Sequence, residues 1–327
     1  MAQLRELGKS GIAVSALGLG TMQFSNRGVI ASAFPAVPQE QIDAIVKTAV
    51  DGGISWFDSA EMYGGGTSER CLSKGLMNSG IAPEQVTIAT KWRQLGRTAR
   101  SIETTADDRI KALSPYPIDL HQIHWPIGSF SSIRAEMTAM ARLVEKGMIK
   151  AVGVSNFSAR QMNAAHRTLA EFGIPLASNQ VQINLLHRTI EHNGVLDTAR
   201  RLGVTLIAYS PLASGVLTGK FHENPSSVKA LSFPRRAIAT GITGAKLKRT
   251  QPLIDATRTI AAAHDATVGQ VALAWLTSYF GDTVIAIPGA SKPHHAAEAA
   301  GALRVQLSPD EIGVLSRLSA SALGGRR

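Results

Sequence analysis

Eight times along the chain, a short apolar run stops on a polar residue or a glycine and gives way to sequence of helical period. The stops fall near positions 20, 58, 91, 124, 155, 180, 209 and 289. Runs that are apolar throughout read as parallel strands, which are buried on both faces and need a crossover helix between neighbours. Eight such units within 327 residues close most simply into one cylinder. The sequence therefore predicts an α/β fold, a TIM (β/α)8 barrel, with residues 1–327 forming one domain. A doubly wound sheet is the rival, but ALGLGT at the first barrel strand lacks the G-x-G-x-x-G spacing of a dinucleotide-binding turn.

Elements outside the repeat also have local signals. LRELGKSGIAVS, residues 4–15, reads as an N-terminal β-hairpin turning at Gly8 to Gly11 and capping the barrel floor. Ile42, Ile45, Val46, Ala49 and Val50 line one face of a helix over 39–51 that stops at Gly52-Gly53. Further helices are predicted near 101–113, 131–146 and 195–202, and Ser158 with Gln161 reads as a capping box. The last interval is long: 213–246 reads as a mobile loop, followed by extra helices near 251–264 and 268–278. Ser308 and Glu311 form a second capping box, opening a last helix.

With 44% hydrophobic and 18% charged residues the chain has the means to bury a core, which sets it apart from disordered sequences. No run reaches membrane-spanning length and no secretory signal is visible, so a cytoplasmic protein is expected. The single cysteine, Cys71, reads as packing. The net charge of +10 is scattered, with KLKRT at 246–250 its densest cluster, and no aromatic-interleaved basic stripe accompanies it. That excludes a nucleic-acid reading and leaves room for an anionic cofactor. Nothing in the sequence fixes an oligomeric state.

The residues that stop the runs carry the chemistry. A barrel gathers the carboxyl ends of its strands on one face. There the pattern places Asp58, Lys91 and His124 at successive strand ends, with Tyr63 on the loop above the first of them. Each alone has a structural reading: an ion pair for Asp58 and Lys91, a rim aromatic for Tyr63, a satisfied core imidazole for His124. Together they form a general-acid device for a carbonyl. A free phenol with a pKa of ~10 is a poor proton donor at neutral pH. A Lys91 ammonium at ~4 Å in an effective dielectric of ~20 favours tyrosinate by roughly 4 kcal/mol, about three pKa units before solvation losses. Asp58 would hold Lys91 charged, and a neutral His124 would orient the carbonyl. His121 and His124 do not read as a metal site, because their odd spacing points them to opposite faces of a strand.

Later strand ends supply Ser155 and Asn156, Gln180 and Tyr209, two amides and a flat ring that suit a nicotinamide: a carboxamide grip and a stacking platform. The motifs FDSAEMYGGG, IATK, QIHWP, GVSNF, NQVQINLLHR, AYSPLASGVLTGKF, VALAWL and IPGASKP, in this order over nearly the whole chain, resemble the aldo-keto reductase superfamily. The resemblance implies a catalytic tetrad of Asp58, Tyr63, Lys91 and His124, with Tyr63 the proton donor in reduction. It also implies NADPH or NADP+, with NADH possible, lying extended across the barrel top from Thr21, Met22 and Asp58 onward. The pyrophosphate would meet Ser210, Pro211, Leu212, Gly215, Leu217 and Lys220; the adenosine end would meet Ile287, Gly289, Ser291, Lys292, His295 and Glu298.

This chain departs from the family pattern at His295, where arginine or glutamine is common, and at Ala299, where asparagine is common. Lys292 would compensate at the 2′-phosphate. Trp92, Trp125 and Phe24, with Met22, are expected to wall the substrate site, which the short C-terminus leaves open. The implied partner is a small carbonyl compound. Two other functions remain compatible with the residues: an NADP(H)-binding regulatory subunit with little turnover, and a barrel aldolase using Lys91 as a Schiff base.

Overall fold

The computed structural model describes residues 4–28, 35–228 and 242–324. Strands β1 (Leu4–Glu6) and β2 (Ala13–Ser15) pair antiparallel, Arg5 opposite Val14. Eight parallel strands follow in sequential order: β3 (Leu19–Gly20), β4 (Trp56–Asp58), β5 (Thr87–Trp92), β6 (Leu120–Ile123), β7 (Ala151–Ser155), β8 (Leu176–Gln182), β9 (Thr205–Tyr209) and β10 (Val284–Ile287). Bridges Leu17 to Ala286 and Gly20 to Gly289 join the first barrel strand to the last and close the cylinder. The predicted barrel and hairpin are both present.

The helices wrap the outside. They are α1 (Gln39–Asp51), α2 (Thr67–Asn78), α3 (Arg100–Thr104), α4 (Ala106–Leu113), α5 (Ile133–Glu145), α6 (Ala159–Ala170) and α7 (Val195–Leu202). Then come α8 (Lys220–Glu223), α9 (Gly244–Ala263), α10 (Val268–Tyr279), α11 (Pro293–Ala302) and α12 (Pro309–Ala322). In α1 the predicted face is buried at Ile42, Ile45, Val46 and Ala49. Both predicted capping boxes form, at Ser158 with Gln161 and at Ser308 with Glu311. The helix expected over 101–113 is two helices that break at Thr105, and the helix expected from 251 starts at Gly244, capped by Thr243. The loop expected over 213–246 is structured where it is described, with 3-10 turns at Ala213–Thr218 and Pro225–Val228 flanking α8; its residues 229–241 lie outside the described residues.

Alternation inside the cylinder sets where chemistry can occur. Near the floor, Trp56, Ala89, Leu120, Ala151, Ile207 and Ile285 pack into one apolar plug, closed from below by Leu7 and Val14 of the hairpin. Two residues further along, the same inward rows carry Asp58, Lys91, Gln122 and Tyr209. A dry floor and a polar top therefore follow from one periodicity. The plug is tight: a Cβ on Gly18 would lie 2.3 Å from Trp56 Cε2, while the Trp56 indole is pinned by its bond to Ser15 O at 2.9 Å. Gly18→Ala should therefore cost about 1–3 kcal/mol, the range for overpacking a filled core, read as a lower denaturation midpoint in urea.

Candidate active site

Asp58 ends β4 and Lys91 stands on β5, both buried, and their side chains form a direct ion pair. The ammonium also donates to Ser59 O at 2.9 Å. The second carboxylate oxygen of Asp58 accepts from Gln122 Nε2 at 3.0 Å and Gln180 Nε2 at 2.9 Å. Every charge in this buried cluster thus has partners, the condition for holding ions out of water. Burial pulls the Lys91 ammonium down, but the charge of Asp58, the interaction with Tyr63 and its hydrogen bonds to both outweigh it, leaving the pKa above the ordinary lysine value. Lys91 is a fixed cation.

Tyr63 reaches the same ammonium from above, its ring centroid 5.2 Å from Lys91 Nζ. Gly64, Gly65 and Gly66 all take left-handed φ, of 67°, 61° and 83°, so the chain reverses in a space where a side chain is strained. The turn then locks onto α2 through Ser68 N to Tyr63 O at 3.1 Å. The acidity expected of Tyr63 needs correcting. Burial pushes its pKa above the ordinary phenol value; Lys91 opposes this by charge and hydrogen bond, and Asp58 reinforces it. The attraction of Lys91 for tyrosinate is present, but desolvation is the larger effect.

His124 follows β6, its ring centroid 5.8 Å from that of Tyr63 and stacked on Trp125 at 6.4 Å. Burial and then the Lys91 charge push the imidazole pKa down to about 3, so the ring is neutral at physiological pH. Its Nδ1 is buried and has no hydrogen-bond partner among the described residues. Asp58, Tyr63, Lys91 and His124 are thus brought together, as the strand ends predicted.

The remaining predicted groups extend along the barrel top. Ser155 Oγ donates to Gln180 O at 2.9 Å and accepts from Asn156 Nδ2 at 3.0 Å; Asn156 Oδ1 accepts from the Tyr209 hydroxyl at 3.1 Å. Thr21 Oγ1 contacts Asp58 O at 3.1 Å and Ser68 Oγ at 2.9 Å, so its hydroxyl belongs to the scaffold. Beyond β9 the backbone is left-handed at Ser210, Ala213, Ser214 and Gly215, where non-glycine residues carry strain. Gly215 and Gly289 are each packed against a side chain: a Cβ on the first would lie 2.9 Å from Lys220 Cε, and on the second 2.7 Å from both terminal atoms of the Gln23 amide, whose buried Oε1 has no partner among the described residues. His295 Nδ1 accepts from Ser291 N at 3.3 Å, and its pKa is lowered by burial, then His294, with Lys220 and Lys292 contributing; Glu298 opposes them. Glu298 also accepts from Thr267 Oγ1 at 2.7 Å. Lys220 and Lys292 therefore bring positive charge to the far end, beside a neutral His295. A strained turn, glycines that let Lys220 and Gln23 pack close to the backbone, and this basic end fit an extended dinucleotide with a terminal phosphate.

The model of the aldo/keto reductase family matches residues 16–320. The chain belongs to the aldo/keto reductase family. It is 31% identical over 316 residues to the chloroplastic pyridoxal reductase of Arabidopsis thaliana, covering 92% of this chain and 82% of that protein. Among solved structures it is similar to the glycerol dehydrogenase of Gluconobacter oxydans, with a TM-score of 0.80, 26% identity and coverage of 97% and 94%. It is similar as well to an aldo-keto reductase of Klebsiella pneumoniae in complex with NADPH, with a TM-score of 0.73, 26% identity and coverage of 97% and 95%. The protein is accordingly an NAD(P)H-dependent oxidoreductase acting on carbonyl chemistry with a nicotinamide cofactor.

Within this aldo/keto reductase, three predicted contacts are corrected. Trp92 is buried outside the cylinder, its indole donating to Ser101 Oγ at 3.0 Å, because Lys91 faces inward and its neighbour must face out. Phe24 is fully buried in the outer core and walls no pocket. Leu217 is buried too, and its N–H donates to Leu212 O at 3.2 Å, so it shapes the turn. Trp125, 41% exposed against His124, stays at the site mouth. Gln122 went unpredicted, although its inward register beside Lys91 follows from the strand parity. Glu61 was missed as well; it bonds Arg97 at 2.7 Å and Arg93 N at 2.9 Å, tying the Tyr63 loop to the next one.

The lowered pKa of His124 has a spectroscopic signature. Because that pKa lies near 3, the His124 ring, followed by NMR, should show no titration near the ordinary imidazole value of ~6.5. In Lys91→Met one of the two depressing causes is gone, so the His124 titration, followed by NMR, should move upward while burial keeps it below ~6.5.

Proposed function

We propose that this chain reduces aldehydes or ketones to alcohols with NADPH, Tyr63 donating the proton. The observation that carries the reading is the buried Asp58–Lys91 pair set against the Tyr63 phenol beside a neutral His124. The substrate oxygen accepts hydrogen bonds from Tyr63 and from the His124 ring, and Tyr63 releases its proton to that oxygen. Lys91 then meets the tyrosinate with a full positive charge, so charge that develops on Tyr63 is answered by a group already in place. Burial keeps the proton on Tyr63 until a substrate is present, and His124 stays a neutral donor that does not compete for it.

When bound, the reduced nicotinamide supplies the hydride. Asn156 and the Gln180 carbonyl would hold its carboxamide, since the Gln180 amide nitrogen is engaged with Asp58, and Tyr209 would stack on its ring. Lys220 and Lys292, beside a neutral His295, favour the phosphorylated cofactor over NADH.

The site mouth supports an apolar or aromatic carbonyl substrate. Met62, Leu95, Trp125, Ile127 and Phe130 are 38%, 60%, 41%, 72% and 81% exposed, an unusual concentration on the loops beside Tyr63 and His124. Gln94 Nε2 to Ile127 O at 2.9 Å and Gly96 N to Gly128 O at 2.8 Å clip two of these loops together. Pyridoxal, named for the Arabidopsis relative, is an aromatic aldehyde of this kind.

With NADPH and an aldehyde panel the protein should consume NADPH, and Tyr63→Phe should lower kcat by at least about 100-fold while nucleotide binding is retained. A phenylalanine variant turning over normally would remove Tyr63 from the role, and tight nucleotide binding without turnover of any carbonyl would favour a regulatory protein. Across straight-chain aldehydes, kcat/KM should rise with chain length by about threefold per methylene that reaches the rim. Phe130→Ser should flatten that rise without affecting the shortest aldehyde.

A further inference from the structure

Directly behind the site, on the outer face of the barrel, lies a second buried polar cluster that the proposed chemistry does not use. Glu69, in the first turn of α2, is completely buried; Thr90 of β5, His121 of β6 and Arg109 of α4 are buried around it. Glu69 Oε1 accepts from Thr90 Oγ1 at 2.6 Å and Oε2 from Arg109 Nη1 at 2.6 Å. Thr90 immediately precedes Lys91, so the same strand residue pair puts a hydroxyl outward and the ammonium inward. The Arg109 guanidinium lies under the glycine turn, where a Cβ on Gly66 would come within 3.1 Å of Nη2 and 3.2 Å of Nη1. Ser68, next to Glu69, holds Tyr63 O through its N–H and Thr21 O through its hydroxyl at 2.7 Å. One carboxylate is thus bonded on one side to the strand that carries Lys91 and built, on the other, into the helix turn that carries Tyr63.

We infer that Glu69, with Thr90 and Arg109, is a positioning bracket that fixes the phenol of Tyr63 relative to the ammonium of Lys91. This rests on the reading of Tyr63 as proton donor. A phenol on a loop and an ammonium on a neighbouring strand would drift independently; a shared buried anchor makes them one body. The geometry is costly to maintain, because Glu69 sits among Arg109 and Arg70, Glu61 of the Tyr63 loop and the neutral His121, and burial pushes its pKa up to about 7 against the pull of Arg109 and Thr90. An ionisable group kept in such a place for packing alone is replaceable by an apolar side chain of the same volume. As a bracket it is not, since misplacing reacting groups by about 1 Å costs on the order of 100-fold in rate.

The test compares Thr90→Val, which removes the hydroxyl at constant shape, with Thr90→Ser, which keeps it, and with Glu69→Gln. Turnover is expressed per nucleotide-binding site, so that a fraction of unfolded protein does not count. Thr90→Val and Glu69→Gln should lower kcat by about 10- to 100-fold with KM within twofold, and Thr90→Ser should recover most of the loss. A second readout needs no turnover: ultraviolet titration of Tyr63, taken as the difference between each protein and the same protein carrying Tyr63→Phe, should shift in Thr90→Val and stay in place in Thr90→Ser. Variants that melt at lower temperature yet keep kcat per site and the Tyr63 titration would make the cluster merely structural and overturn the bracket. A wild-type protein that reduces no carbonyl would instead refute the proposed function, and the titration alone would then decide the bracket.

Discussion

The barrel top depends on one ion pair shut inside a cylinder of strands. Lys91 and Asp58 are removed from water together, and neither would remain ionised there without the other and without the amides of Gln122 and Gln180. The cost of burying the pair is met by geometry: Lys91 and Gln122 are register partners on adjacent parallel strands, and both donate to Asp58 on the strand before them. Its return is a cation whose position does not fluctuate with solvent. A surface lysine would be screened and mobile; here the field at Tyr63 and His124 is constant.

That field acts differently on its two neighbours. At His124, burial and Lys91 push the same way, and the imidazole is locked neutral. At Tyr63 they oppose one another, and burial prevails in the resting chain. The phenol therefore keeps its proton at rest, beside a cation that would stabilise its anion in the proposed proton donation. A strongly acidic tyrosine would lose its proton before a substrate arrived, whereas an unassisted one would not release it at all. The compromise between desolvation and charge suits a donor that reacts only when a carbonyl oxygen is in place.

Much of this was legible in the residues, for a reason that also marks where reading stopped. Strand ends in a parallel barrel converge, so polar residues terminating apolar runs identify Asp58, Lys91 and His124 without knowledge of their contacts, and three glycines signal the reversal that presents Tyr63. Parity along a strand was harder. Lys91 inward forces Trp92 outward, a rule available from sequence but not from counting aromatics near a motif. Gln122 and Glu69 lie within a strand run and a helix, where a polar residue gives no local sign of its partner; only the packed fold brings them to Asp58 and Thr90. The sign of the Tyr63 shift failed because a Coulomb energy was available from a distance alone, while the opposing desolvation needs the surrounding surface.

The division between the two faces of β5 suggests how such a site tolerates variation elsewhere. On the proposed reading inward residues supply charge and outward residues supply placement, and the two sets meet through the backbone between Thr90 and Lys91 and through the α2 turn that holds Tyr63. On the proposed reading substrate contacts sit on neither set but on the exposed loops around Met62, Leu95 and Phe130, whose side chains have no buried partners to satisfy. Changes there alter what fits without disturbing a buried charge, and changes at the buried layers disturb every substrate alike. A barrel that separates placement, charge and fit into different layers can therefore exchange the last while the first two stay fixed.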